Sequence, residues 1–219
     1  MASSSRLAVV LAACALSACA TLSSTAPASE WGPLPLASPD GRSTTVAALT
    51  AQGRATVFVF WATQCPCVRR YQERVEALAA QYGARGVTFV GIDSNVDDSL
   101  EDIARVTKQR GVTLPVWRDD GGRLAKALGA RSTPTVVLVD DKGLVRFRGW
   151  LDNERLPGES DREPWLEQAL TGVLDGAPYA SASPTYGCAI TRSLKTIPEC
   201  HSPAVEVSAS PANPEGATQ

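Results

Sequence analysis

Histidine is almost missing from this sequence: His201 is the single imidazole in 219 residues. That excludes a His-rich metal cage and any charge relay built on several imidazoles. A surplus of one charge is missing too, since 21 basic and 23 acidic side chains leave a net of −2, with no block of like sign. Nucleic acid is therefore not an expected partner, because such binding needs a concentrated basic face. There is no internal repeat, and nothing in the sequence requires a cofactor. What is present is 44% hydrophobic residues, enough for one substantial core and a small appendage, together with six cysteines. Those cysteines need an explanation, and the compartment decides what they mean.

The N-terminus carries one early positive charge, Arg6, then an apolar run over residues 7–16 and the small residues Ser17 and Ala18 before Cys19. A run of about ten apolar residues is too short to span a bilayer permanently and reads as a secretory signal. The stretch LSAC at 16–19 resembles the lipobox of bacterial lipoproteins. That resemblance implies cleavage after residue 18, lipidation of Cys19 and a stable anchor of several acyl chains. Ala20, in place of aspartate, implies the periplasmic face of the outer membrane; without lipidation the chain would be secreted or periplasmic. Cys14 leaves with the signal and Cys19 goes to lipid, so Cys65, Cys67, Cys188 and Cys200 remain where disulfides persist. Four cysteines allow three pairings, and the sequence does not choose among them.

Residues 1–18 are thus the expected signal and 19–30 a flexible, Ser/Thr/Ala-rich tether. Residues 31–42 suggest a short extended segment closing in a turn at Asp40-Gly41. ATVFVFW at 55–61 is a continuous apolar, β-branched and aromatic run, the mark of a strand buried on both faces. Residues 68–84 then carry helical periodicity, with Pro66 suited to the first turn, where its missing N–H is no loss. Further strands are expected at 87–92, 114–117 and 135–140, and helices at 99–110 and 122–128. A hairpin turns at 141–143 into 144–150, and a helix at 164–174 closes the domain. Alternating strands and helices followed by a hairpin predict an α/β fold, one sheet with helices on both faces, over residues 31–175. Residues 176–201 form a Cys-containing C-terminal extension, and 202–219 an expected disordered tail.

VFWA at 59–62 before a cysteine at a strand–helix junction resembles thioredoxin, as does STPT at 132–135 before the next strand. More of the chain, from about residue 31 to 192, resembles exported redoxins of the peroxiredoxin-like, thiol-specific-antioxidant type. The supporting segments are TQCP at 63–66, GVTFVGIDSN at 86–95, WRDD at 117–120, GARSTP at 129–134, RGWLD at 148–152 and GCAI at 187–190. The resemblance implies a thioredoxin-like fold with a central mixed sheet. It also implies a catalytic group of Cys65, Cys67, Thr133 and Pro134, with Pro134 in a cis bond against the reactive cysteine. Elementary electrostatics points to Cys65 as well. A thiol at a helix N-terminus faces free amides and the positive end of the macrodipole, which stabilise the thiolate, the species that attacks disulfides and peroxides.

This sequence departs from the family pattern in three ways. The cysteines are spaced Cys-Pro-Cys, so a Cys65–Cys67 bond would close a cramped ring, easily reduced, and Cys67 otherwise pairs elsewhere or lines the helix. Val59 stands where thioredoxins carry a buried aspartate. Ala62 stands where peroxiredoxins carry a threonine, which predicts slow peroxide chemistry. Cys188 either resolves Cys65 in a reversible disulfide or belongs to a static staple, Cys188–Cys200 or a link from the tail to Cys67. The expected function is an envelope thiol–disulfide oxidoreductase, acting on a thiol or disulfide protein substrate and served by an envelope electron donor. A thiol peroxidase using Cys65 is the close alternative. A Cu(I) site from Cys65, Cys67, Cys200 and His201, similar to thioredoxin-fold copper chaperones, is another. Asp93, Asn95, Asp119 and Asp120 read as capping residues of strand-end loops, Arg69 and Arg70 as helix-surface charge, and Glu101 with Arg105 as a solvated i,i+4 pair.

Overall fold

The computed structural model describes residues 30–154 and 161–190. Cys19, Cys200, His201 and the tail expected at 202–219 lie outside the described residues. Strands β1 (Pro35–Ala37) and β2 (Ser43–Thr45) precede helix α1 (Val46–Thr50). Then follow β3 (Ala55–Trp61), α2 (Pro66–Gly83), β4 (Val87–Asp93), α3 (Leu100–Arg110), β5 (Val116–Arg118) and α4 (Arg123–Leu128). The remainder comprises β6 (Ser132–Thr133), β7 (Thr135–Asp140), β8 (Val145–Gly149), α5 (Trp165–Asp175) and β9 (Cys188–Ala189).

Seven strands make one sheet in the order β2-β1-β5-β4-β3-β7-β8. Every residue of β3 is buried, as its unbroken apolar run requires of a central strand covered on both faces. It pairs in parallel with β4 and antiparallel with β7, which makes the sheet mixed. Successive side chains of β3 face opposite ways. Val57 and Val59 join the core beneath α2 and α5, with Val75, Leu78, Leu166 and Leu170. Phe58 and Phe60 join the core beneath α1 and α4, with Leu49, Leu124 and Leu128. Burying each such aromatic contributes about 1.5–3 kcal/mol, so this strand anchors both layers.

Helix limits follow local chemistry. Ser99 caps α3 by accepting the Asp102 N–H at 3.0 Å, and Gly111, in the left-handed region, ends it. Asp119 accepts the Leu124 and Ala125 amides, both at 3.0 Å, so its acidic character serves the start of α4. The strand anticipated at 114–117 runs over Val116–Arg118 instead. Pro115 has no N–H to give the ladder, and only its carbonyl is used, accepting Gly91 N at 2.9 Å. Arg105 does not pair with Glu101: Asp102, one turn back beside the cap, takes it at 2.6 Å. The turn at Asp40-Gly41 is present, but α1, β2, β6 and β9 are too short to leave a periodic signal.

Candidate functional site

The site lies where β3 leaves the sheet. Its last residue, Trp61, pairs with Asp93 at the end of β4, and the chain then turns through Ala62, Thr63 and Gln64. That turn is tied down from α3's side. Buried Asp98 accepts the Thr63 N–H at 3.0 Å and the Thr63 hydroxyl, while Arg110 donates to the Thr63 carbonyl. Cys65 follows as the N-cap of α2 in an extended conformation, with Pro66 in the first turn. Its side chain is 0% exposed.

Burial alone would raise the Cys65 pKa, yet it is lowered to about 6. The largest cause is a hydrogen bond from the Cys188 thiol, followed by those of the Thr133 hydroxyl and the Val68 amide in the first turn of α2. At neutral pH this leaves on the order of ten thiolates per thiol. As a thiol, Cys65 donates instead to the Thr133 carbonyl at 3.2 Å. Cys188 moves the opposite way, its pKa raised because its proton is held between the two sulfurs and because it is buried. The two thiols titrate as a pair, and the hydrogen bond between them favours the thiolate on Cys65 and the proton on Cys188. Arg110 also senses that charge: burial and neighbouring Arg69 lower its pKa, while the Cys65 thiolate and Asp98 raise it.

Cys188 reaches Cys65 because residues 176–190 run back from α5 across the sheet edge. Ser181 and Ser183 bond the backbone of Arg148, Trp150 Nε1 donates to the Tyr186 carbonyl at 2.9 Å, and Ile190 N donates to Arg131 O at 3.0 Å. Tyr186, Cys188 and Ile190 turn inward with a period of two. β9 pairs antiparallel with β6, setting Cys188 opposite Thr133, next to the cis Thr133–Pro134 bond. Gly187 permits this approach. Its φ is +113°, and a Cβ there would lie 2.1 Å from the Thr133 carbonyl oxygen.

Cys65, Cys67, Thr133, Pro134 and Cys188 are thus brought to one place. Cys67 is disulfide-bonded, whereas Cys65 and Cys188 are both free thiols, so no Cys65–Cys67 or Cys65–Cys188 bond is present. The sulfurs of Cys65, Cys67 and Cys188 all lie within 4.8 Å of one another. Reduced, these three could hold a soft metal; with Cys67 in a disulfide, one ligand is lost. Of the alternative copper set read from the sequence, Cys65 and Cys67 are here, while Cys200 and His201 lie outside the described residues.

Several residues at the site were not legible beforehand. Asp98 and Arg110 hold the Thr63 turn, and only a contact between α3 and this turn reveals them. Tyr71 and Tyr186 flank Trp150, which the sequence, like Trp61 and Trp117, offers as a core or site-wall aromatic; the three rings form a wall, with Tyr71 and Trp150 edge to face at 4.7 Å. Asp93, fully buried, has its pKa raised to about 8 by desolvation and then by the charge of Asp98. It accepts from the Asn95 backbone at 2.9 Å and side chain at 3.2 Å, so it is a held proton rather than a simple cap. Val59 lines an apolar pocket with Val68, Tyr71 and Pro134, with no acid in the position thioredoxins use for one.

Comparison with known proteins bears on this geometry. The family model described as Redoxin matches residues 21–164, well over half of the chain. The thiol-disulfide oxidoreductase ResA of Halalkalibacterium halodurans is 27% identical over 43% of this chain and 52% of its own length. The thiol:disulfide interchange protein DsbE of Escherichia coli is 30% identical over 52% of this chain and 60% of its own. The chain therefore spans between about half and two thirds of the length of the curated relatives it matches. A crystal structure of an uncharacterized conserved protein from Geobacillus kaustophilus superimposes with a TM-score of 0.65, 28% identity, and coverage of 79% of this chain and 96% of that one. The fold is thioredoxin-like, as the sequence resemblance implied.

Proposed function

The chain belongs to the Redoxin family, and on that footing we propose that it is an envelope thiol–disulfide oxidoreductase in which Cys65 attacks and Cys188 resolves. The observation that carries this reading is the free Cys65–Cys188 pair, in which one thiol donates its proton to a thiolate at a helix N-terminus. The names of the relatives, oxidoreductase and interchange proteins for thiols and disulfides, support the same chemistry.

The Cys65 thiolate attacks one sulfur of a substrate disulfide; a mixed disulfide forms and the substrate's other sulfur leaves as a thiolate. Once Cys65 is bonded it no longer carries the charge that held the Cys188 proton, so the Cys188 pKa falls back and its proton passes to the departing thiolate. Cys188 then attacks the Cys65 sulfur and expels the substrate's second thiolate. The substrate gains two electrons and the protein ends with a Cys65–Cys188 disulfide, which an envelope electron donor must reduce. Thr133 positions both partners, its hydroxyl supporting the thiolate and lying 3.5 Å from the Cys188 carbonyl. Because Cys65 is 0% exposed, residues 186–190 must swing aside to admit a protein substrate.

Peroxide is disfavoured as a substrate because buried Ala62 offers no hydroxyl to hold it. The envelope address and the anchor at Cys19 rest on the signal and lipobox pattern, and loss of lipid labelling in Cys19→Ser is the expected outcome. The chemical test sets insulin reduction beside peroxide consumption, with disulfide mapping after each. Activity in the first with a Cys65–Cys188 bond is expected; a Cys65 that stays free and unreactive in both overturns the reading.

A further inference from the structure

Two guanidiniums flank Cys65 from different elements. Arg69 stands on the exposed face of α2 one turn after Cys65, and its backbone N–H donates to the Cys65 carbonyl at 3.2 Å. Arg110 ends α3, half-buried, and its Nη2 donates to the carbonyl of Thr63, two residues before Cys65. The two lie near enough for the charge of Arg69 to lower the Arg110 pKa, after burial the larger cause. Like charges are held together at a cost unless an anion lies beside them. Among the described residues, neither arginine forms an ion pair with a carboxylate. The first turn of α2 carries no acid, and buried Asp98 gives one oxygen to the Thr63 N–H and the other to the Thr63 hydroxyl. Arg110 Nη1 is a buried donor with no acceptor among the described residues. The charges that favour the Arg110 cation are the Cys65 thiolate and Asp98.

We propose that Arg69 and Arg110 form an anion subsite that selects protein cystines with an aspartate or glutamate beside the half-cystine that Cys65 attacks. The selection rests on the oxidoreductase reading. When Cys65 bonds to a substrate sulfur its negative charge is lost, and the two guanidiniums face the mixed disulfide with Asp98 alone opposing them. A carboxylate carried beside the substrate sulfur replaces the lost charge at that step. Arg69 supplies the exposed donor fork and Arg110 the fixed charge behind it. A lysine in the same place on the substrate meets repulsion from both arginines. Because Arg69 is exposed, salt weakens the selection.

The test mixes reduced full-length protein, in single turnover, with cystine-bridged peptides that differ only in the residue beside each half-cystine: aspartate, asparagine or lysine. Acid quench and chromatography give the rate of disulfide reduction. At low salt the aspartate peptide is expected to react on the order of 10-fold faster than the asparagine peptide, and the lysine peptide slowest, with the spread shrinking at about 0.5 M salt. Arg69→Gln is expected to bring the aspartate-to-asparagine ratio close to one, and Arg69→Lys, which keeps the charge, to retain most of it. Alkylation of Cys65 by anionic iodoacetate, relative to neutral iodoacetamide, should fall in Arg69→Gln as well. Equal rates for the peptides, or an aspartate preference that survives Arg69→Gln, overturns the subsite and leaves the oxidoreductase reading standing. A wild-type chain that reduces none of the peptides overturns the oxidoreductase reading and the subsite with it.

Discussion

Two segments meet at Cys65, and they are held in different ways. The β3–α2 turn emerges from a strand that is buried throughout and paired on both sides, and its own backbone is fixed by Asp98 and Arg110. Residues 176–190 contribute Cys188 through a two-residue strand, a few backbone bonds and one glycine with positive φ. The first segment has the central sheet behind it, while the second is joined to the fold by fewer backbone bonds and three buried side chains, Tyr186, Cys188 and Ile190. On the proposed reading, the nucleophile sits on the β3–α2 segment, and residues 176–190 supply both the thiol that lowers the Cys65 pKa and the cover that buries it. Activation and closure are therefore one contact, and opening the site to substrate also removes the hydrogen bond that lowers the Cys65 pKa.

Removing the rigid segment's sulfur should have the largest effect. Cys65→Ser is expected to lower thiol–disulfide exchange by at least about 10³-fold in an insulin-reduction assay, because an alkoxide is not available at neutral pH. Circular dichroism should be unchanged; residual activity within ten-fold of wild type would assign the nucleophile elsewhere. Next comes Cys188→Ala, which leaves the fold's backbone bonds but removes the donated proton. The Cys65 pKa should climb from about 6 toward the ordinary thiol range. In wild type the thiolate fraction rises between pH 5 and 7, and in the variant that rise moves to higher pH. Thiolate ultraviolet absorbance against pH reads this directly. An unmoved titration would mean that the Thr133 hydroxyl and the helix N-terminus set the pKa without Cys188.

The same contrast explains what could be read in advance. β3, α2, β4, α3, β7 and α5 have long periodic or continuous apolar patterns, and each was legible because burial dictates its residues. Cys65 at the start of α2 and the Thr-Pro pair before β7 followed from the motifs on those elements. Cys188 was visible as a residue but its role stayed open, since a two-residue strand has no period and four cysteines leave three pairings. Asp93 reads as a loop acid in sequence; only its burial between Trp61 and Asp98 makes it a proton holder. Arg110 likewise looks like one more helix-end cation until its contact with the Thr63 carbonyl is seen.

Loosening the second segment without touching a sulfur sharpens the comparison. Gly187→Val places a branched side chain at φ +113° and a Cβ 2.1 Å from the Thr133 carbonyl oxygen. Strain on the order of 1–3 kcal/mol at such a backbone, added to the clash, should open residues 186–190 and speed Cys65 alkylation by on the order of 10- to 100-fold. The Cys65 pKa should rise in parallel, because the two properties share one contact. Faster alkylation with an unchanged pKa would separate closure from activation.

A milder change acts on the rigid side. Asp93 has its pKa raised to about 8 from an ordinary 3.8, so the folded state holds a proton that the unfolded chain releases. Its contribution is present below the unfolded pKa and is lost as pH rises through about 8. Melting temperature should accordingly fall between pH 4 and 8, and Asp93→Asn, which keeps a neutral group of the same shape, should flatten that fall. An identical pH profile in the variant would show that other groups govern stability in this window.

The smallest expected effect comes from the bond that fastens the aromatic wall to residues 186–190. Trp150 Nε1 donates to the Tyr186 carbonyl at 2.9 Å, two residues before Cys188. Trp150→Phe keeps the ring against Tyr71 but removes the donor, a loss of about 1 kcal/mol. Because the lost bond spans the closed form alone, that energy should go into the opening equilibrium and raise Cys65 alkylation by roughly 5-fold, converting at about 1.4 kcal/mol per tenfold. The Cys65 pKa should stay near its wild-type value, since Cys188 still faces it in the closed form. Alkylation at the wild-type rate would mean that residues 186–190 are held chiefly by the β6–β9 pairing and not by this bond.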